Sequence, residues 1–448
     1  MKYGKTRSKG VGRNEPSAVR RGCFVCFGGG GRVRSMAERL GGALRLGPLP
    51  ARECRVYACS VITPMFGGGA EAGKVDEEFP VRAPSIRGQL RFWWRLLHGV
   101  RGLRGNALKE KECALWGGVF AAFPSGDKAA LQRASSVGVF IKKEGAGQPV
   151  VLEQGKGAQY ALFPFRDKSG VLPKFDLGVV CEPRLCSELK EQLERSLRAW
   201  ANFGGVGART RRGCGAVFCP ELAFENEEEA RALAVSCGLR VWTKECDSKQ
   251  SIDVKCTSNQ NIDAWNEAVG CLRDFRQGKD VGRNGARGRS RWPEADTIRK
   301  LTRQCDPRHE AVYPPDHPYG FPRAVFGMPI GFRFKTSGDP KSCQQLLPVG
   351  AQRMSSPVIL RPLRLKDGRV LSMAVFLPEP DLSCGLRLSG NKLGGKLNKL
   401  DKECSDYQGA KFANYKGSPM ENRSSTGNAL EAFRAYLREK GFKEVTGK

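Results

Sequence analysis

The sequence predicts an α+β fold, and three observations carry that prediction. Apolar runs of strand length alternate with apolar faces at helical period, so neither element type dominates. Across residues 51–220 the order is strand, helix, strands, helix, glycine loop, strand, the βαββαβ arrangement of a ferredoxin-like unit. Strand character gives way over 221–320 to helical and Arg/Gly-rich segments and recovers over 321–384. The predicted architecture is therefore two ferredoxin-like domains, 51–220 and 321–384, around a helical insertion at 221–320. A basic extension (1–50) precedes them, and a basic linker with a C-terminal helix (385–448) follows.

A chain of 448 residues is long enough for two or three domains, and 40% hydrophobic content allows real cores. The formal net charge is +29. Such an excess either meets a polyanion or destabilises the compact state by self-repulsion, and nucleic acid is the first candidate. An anionic membrane is the second, but no segment approaches the ~20 apolar residues of a span, so no membrane partner is predicted. Seventeen cysteines are an odd number, and no secretory apolar core opens the chain. They read as reduced thiols in a cytoplasmic protein, mostly small buried hydrophobes. Cys23 and Cys26 form the only C-x-x-C, with no second pair at zinc spacing, so neither metal nor cofactor is predicted.

Residues 1–50 hold eleven Lys/Arg against two acids and no apolar period, the pattern of a flexible extension. Val56–Ile62 is a strand stopped by Pro64 and Gly67–Gly69. Pro84 and Ser85 open a helix, with Ser85 as N-cap. Ile86, Leu90, Trp93, Trp94 and Leu97 make its apolar face, and Arg87, Arg91 and Arg95 a second one. No acid is spaced along the helix to pair those guanidiniums, and Arg87 sits at the positive end of the helix dipole. Bound phosphate would relieve the stripe; acids from elsewhere in the fold, or solvent, would also do so. Val119–Phe123, Val137–Lys142, Tyr160–Phe165 and Phe175–Cys181 read as strands. Ser187–Phe203 reads as a helix burying Leu189, Leu193, Leu197 and Trp200.

That helix runs into a loop, residues 204–215, containing Gly204, Gly205, Gly207, Arg209, Arg211 and Arg212, and then a strand at Ala216–Cys219. A dinucleotide loop follows a strand and opens a helix; this one follows a helix and enters a strand, and it lacks the Gly-Lys-Ser/Thr of a Walker loop. It reads as a basic backbone clamp for an extended polyanion, or as a tight turn with exposed arginines. Glu221–Glu229 reads as a surface helix and Ile262–Gln277 as a buried one. Gly278–Arg291 is Gly/Arg-rich and leads through Trp292 into a helix at Glu294–Gln304. Arg291, Trp292 and Arg299 suit backbone contact with a stacked base, or a basic loop without such a role. Ala324–Phe334, Val358–Leu365 and Leu371–Leu377 read as strands, and Ala429–Lys440 as a closing helix.

Catalytic constellations are not apparent. His98, His309 and His317 are the only histidines and none has a partner at metal or triad spacing. Six segments, TPMFGGG (63–69), IRGQLRFWWR (86–95), FGGVGARTRRGCGAV (203–217), RSRWPEADTIR (289–299), FPRAVFGMPI (321–330) and RMSSPVILRPLRL (353–365), together resemble the first-numbered RAMP subunits of Cmr (type III-B) CRISPR effector complexes. The resemblance spans roughly 52–380. It implies two RAMP-type ferredoxin-like domains and a non-enzymatic subunit that caps the guide 3′ side. Its implied partners are guide RNA, target RNA and the other RAMP subunits, and cutting is left to a different subunit. It also implies RNA contact by Arg87, Arg91, Gly204, Gly205, Gly207, Arg209, Arg211, Arg212, Arg291, Trp292 and Arg299. Two alternatives stay open: a metal-independent endoribonuclease processing guide precursors with His98 or Tyr57 as base, and a purely structural cap.

Overall fold

The computed structural model describes residues 52–447 apart from 68, 70–73, 77, 101, 121–130, 146, 151–156, 163–168, 184, 247–259, 286–287, 314–319, 341–343, 384 and 391–415. The expectations for residues 1–50, His317 and most of the 385–427 linker lie outside the described residues.

The first unit begins with β1 (Glu53–Val61), whose Tyr57, Cys59 and Val61 point into the core. Helix α1 (Ala83–Gly99) follows and buries Ile86, Leu90, Trp93, Trp94 and Leu97 as the periodicity predicts. It starts before Ser85: Arg82 is the N-cap and Pro84 lies in the first turn, where its missing N–H leaves no bond unmade. Helix α2 (Gly105–Trp116) packs beside α1, and β2 (Val137–Glu144), β3 (Lys174–Cys181), α3 (Ser187–Phe203) and β4 (Val217–Phe218) complete the unit. The strands are ordered β2-β3-β1-β4 and are antiparallel, with β1 and β3 paired from Glu53↔Cys181 to Ser60↔Lys174.

The second unit comprises α4 (Glu227–Ser236), β5 (Arg240–Glu245), α5 (Gln260–Gln277), α6 (Glu294–Thr302), β6 (Ile330–Phe332), β7 (Gln344–Pro348), β8 (Val358–Arg364), β9 (Val370–Phe376), β10 (Leu386–Gly390), α7 (Ala429–Glu439) and β11 (Lys443–Glu444). Its main sheet runs β8-β9-β5-β11 and is antiparallel throughout, the order of the first unit repeated. A small sheet, β6-β7-β10, packs against Ile298 of α6.

The second βαββαβ unit is thus β5, α5, β8, β9, α7 and β11, which corrects the expected boundaries. Its first strand and helix lie in the stretch read as insertion, and its last helix and strand in the stretch read as tail. A strand of six residues followed by a long excursion between α5 and β8 leaves no local signature of its partner, because pairing is a non-local property. Other expectations shift too. Of Val119–Phe123, the strand Gly118–Phe120 is seen. Tyr160–Phe165 is not a strand where described: Ala158–Ala161 is one helical turn, held to α5 by Ala158 N donating to Asn266 Oδ1 at 2.9 Å. The acidic 221–229 stretch is mostly a loop; Asn226 caps α4 by accepting from Glu229 N, which puts three glutamates in the first turn, where the dipole favours them. Ala324–Phe334 divides into a 3-10 turn, Pro322–Phe326, and the three residues of β6, since Pro322 and Pro329 cannot donate to a ladder.

Two cores result. One face of the second main sheet (Ile359, Leu363, Leu371, Met373, Val375) joins the core of the first unit. The other (Leu360, Ala374, Phe376) packs with residues of α5 and α7. Among the described residues the cysteines are free thiols, and no helix is long and apolar enough to cross a membrane.

Candidate nucleic-acid interface

The glycine loop is locked to the exit of β1. Ala208 N donates to Phe66 O (2.6 Å), Gly215 N to Pro64 O (3.1 Å) and Thr63 Oγ1 to Gly213 O (2.5 Å). Two of the segments that carry the family resemblance, 63–69 and 203–217, are therefore halves of one hydrogen-bonded structure. Within it the glycines answer to packing: a Cβ on Gly204 would sit 2.7 Å from Trp200 O, and one on Gly205 2.7 Å from Gly215 O. Gly207 has φ +78° and a Cβ there would meet Phe66 O at 2.6 Å. The sequence suggests that these residues let the backbone approach a ligand; their first task is to let it approach itself.

The loop arginines separate by environment. Arg212 donates to Val358 O (3.0 Å) and Ser356 Oγ (3.0 Å) across the unit boundary, and burial pushes its pKa down to about 10. Arg211 donates to Ser356 O and lies over the Phe92 ring. Arg209, at φ 58°, is exposed and forms no ion pair among the described residues. The sequence reading missed Arg361 of β8 as the centre of this junction. It is 1% exposed and donates to Ala201 O (3.0 Å), Gly204 O, Val217 O (2.8 Å) and Pro362 O (3.0 Å). With carbonyls and no carboxylate around it, desolvation pushes its pKa down to about 9. Its guanidinium caps the C-terminal end of α3, where the last carbonyls lack partners and the dipole favours a cation.

The arginine stripe of α1 is paired with groups from elsewhere in the fold, one of the alternatives to bound phosphate that its spacing left open. Arg91 Nε meets Glu112 Oε1 at 2.6 Å, Arg95 Nε meets it at 3.2 Å, and Arg87 donates to Trp116 O. Glu112 comes from α2, so no spacing along α1 could reveal it. The open side of α1 is the adjacent one. There Arg82, Ser85, Gln89 and Phe92 face residues 204–211 across two adjoining hollows of about 230 and 270 Å³ that share Ser85 and Gln89. Arg82 and Arg211 line this groove, and among the described residues no carboxylate does.

Of the residues expected to serve the second unit, Trp292 is buried, Arg299 is paired with acids, and Arg291 is partly buried. Trp292 is 1% exposed, edge-on to Phe275 at 5.3 Å, with Nε1 donating to Arg276 O (3.1 Å), so it is a core residue and not a stacking platform. Arg299 grips Asp339 through two bonds of 2.7 and 2.8 Å and meets Asp296 at 3.2 Å. Arg291 donates to Asp280 O. His98 is buried against Trp94 with Nε2 3.1 Å from Gln192 Oε1, and Tyr57 is buried with its phenol pushed up by desolvation, so neither is placed as a base for an RNA hydroxyl.

Residues 58–217 match the RAMP superfamily. No curated protein sequence matches the chain. Among solved structures, the chain is similar to Cmr1 from Pyrococcus furiosus in its apo form, at 15% identity and a TM-score of 0.43, covering 88% of this chain and 99% of that one. It is also similar to a chain of the Type III-B Cmr-beta complex bound to cognate target RNA, at 10% identity and a TM-score of 0.37, covering 79% and 99%.

Proposed function

Starting from residues 58–217 as a RAMP-superfamily domain, we propose that the chain is a non-catalytic, cytoplasmic RNA-binding subunit of a type III-B CRISPR ribonucleoprotein. It caps the guide 3′ side and holds guide–target RNA beside other RAMP subunits. The six motif segments point to that assembly, and the groove between α1 and the glycine loop carries the binding reading. Cationic and polar groups line the groove, no described carboxylate is among its lining residues although Asp76 stands 3.9 Å from Arg82, and Arg209 is exposed between the lining residues Ala208 and Thr210. Phosphate contacts fix register and orientation without reading bases, so the expected recognition is of backbone and A-form shape. The buried positions of His98 and Tyr57 support a role without cleavage.

The test is a gel-shift series on the full chain with single-stranded RNA, guide–target RNA duplex and duplex DNA across salt concentrations. The informative variant is Arg82→Gln/Arg209→Gln, since both side chains are exposed, whereas Arg211 and Arg212 hold the junction. The variant should bind RNA more weakly, with a salt slope lower by about 0.7 for each phosphate that it no longer neutralises. Unchanged affinity and slope would remove the groove from the function, and cut RNA would replace the binding reading with an endoribonuclease.

A further inference from the structure

A cleft of about 540 Å³ opens in the second unit, between the end of α5, residues 283 and 288–290, α6 and the chain leaving β6, and it shares no lining residue with the groove along α1. Seven Arg or Lys side chains line it against two carboxylates. Both carboxylates are already engaged in the floor. Asp339 is held by Arg299, and Asp296 accepts from Arg299 (3.2 Å), Val312 N (2.8 Å) and His309 Nε2 (2.9 Å). Arg323 is also engaged, with the buried Glu294 at 3.0 Å. The remaining cations lack a close carboxylate, although Arg289 donates to Glu310 O. Arg283, Arg333 and Lys335 form no ion pair among the described residues. Arg289 has Glu310 at 3.9 Å as its nearest acid, and Arg276 Nε is buried without a hydrogen-bond partner. Arg333 and Lys335, which follow the end of β6, are exposed and line the cleft. The hydroxyl residues Ser290 and Thr336 complete the lining.

Like charges gathered around a concavity repel, and no close carboxylate in the described chain relieves these. We propose that this cleft is a second phosphate-binding site, separate from the glycine-loop groove, that seats one nucleotide of a single-stranded RNA through its backbone phosphate. The volume lies in the range of small-ligand sites, guanidinium forks match phosphate oxygens in pairs, and hydroxyls can meet the sugar. A duplex presents its phosphates on rigid ridges and cannot bend one nucleotide into such a seat. An acidic protein segment, with one charge per carboxylate spaced along a backbone, suits a longer and flatter face.

The experiment measures binding of a labelled single-stranded RNA oligonucleotide to the full chain across salt, for the wild type, Arg283→Gln/Arg333→Gln/Lys335→Gln, the charge-preserving Arg283→Lys/Arg333→Lys, and Arg82→Gln/Arg209→Gln. The three cleft side chains hold no described ion pair, so thermal unfolding should not move. The neutralised cleft should lose about tenfold in affinity at physiological salt and about 0.7 in salt slope, the share of the one phosphate that it no longer neutralises. The lysine variant should keep the wild-type salt slope and fall between wild type and the neutralised variant in affinity, because it retains the charge and loses the guanidinium fork. Wild-type affinity and slope in the neutralised variant would overturn the site. So would displacement of the RNA by a glutamate-rich peptide from wild type but not from the neutralised variant, which would make the cleft a protein-docking surface. A loss confined to the Arg82/Arg209 variant would sink this inference and leave the groove standing; a loss confined to the cleft variant would do the reverse.

Discussion

Two stretches of this chain look alike in sequence and differ in the folded protein. Residues 204–215 and 278–291 are both rich in Gly and Arg, and both follow a long helix. In both, several glycines pack backbone on backbone, but in the first Arg211 and Arg212 direct their donors to carbonyls of the second unit. In the second, Arg283 and Arg289 sit on the rim of an open cleft. What separates them is what lies opposite: the bare carbonyls of β8 and its approach in one case, solvent and unopposed cations in the other. A buried guanidinium is tolerated where several carbonyls replace its water, and an exposed one is left free for a ligand.

The hardest way to break that comparison is to remove the centre of the junction. Arg361→Ala would leave the carbonyls of Ala201, Gly204 and Val217 without donors and open a void. The expected cost is about 3–5 kcal/mol, read as a lower denaturant midpoint. Arg283→Gln, with no such partners, should stay within about 0.5 kcal/mol of wild type. Equal effects at the two positions would mean that the junction arginines are no more structural than the rim ones.

The same contrast explains how far the fold could be read in advance. The first unit is contiguous, and each helix there carries its own apolar period, so α1 and α3 follow directly from Ile86 to Leu97 and from Leu193 to Trp200. The second unit is interrupted between α5 and β8, and its last strand is two residues long, so nothing local marks β5 and β11 as neighbours. The site was less legible than the fold because an arginine carries the same letter whether its partner is Glu112, Ser356 O or a ligand. Arg361 was visible only as a charge inside an apolar strand, VILRPLR. That was the available signal: a cation in a buried strand must find several acceptors.

A glycine in each stretch sharpens the comparison. Gly213 (φ +77°) and Gly285 (φ +81°) both occupy the left-handed region, where an L side chain is strained. A Cβ on Gly213 would lie 2.3 Å from Leu360 O and 2.5 Å from the Trp265 ring, whereas one on Gly285 meets nothing within 4 Å. Gly285→Ala should therefore cost only the backbone strain, about 1 kcal/mol, and Gly213→Ala about 3 kcal/mol, because β8 and α5 must also give way. Chemical unfolding of the two variants checks this. A Gly285→Ala loss as large as that of Gly213→Ala would show that position 285 is as tightly packed as position 213.

The last expected effect, and the one that pH reads, concerns the floor of the cleft. Asp339, 2% exposed, accepts two bonds from Arg299, and that hydrogen bonding holds its carboxyl below the ordinary carboxylate range. The native state therefore binds this proton less readily than the unfolded chain, whose aspartate titrates near ~3.9. The stabilisation is complete above that value and is lost as pH falls through the lower native one. Asp339→Asn keeps an acceptor but loses the charge, at a cost of about 2 kcal/mol near neutral pH. The gap between wild type and variant should stay constant from pH 7 to about 5, narrow below about 4, and close once Asp339 is protonated in the native state. A gap that ignores acid would mean that Arg299 is held by Asp296 alone. The Arg299–Asp339 pair would then contribute shape but no charge to the floor.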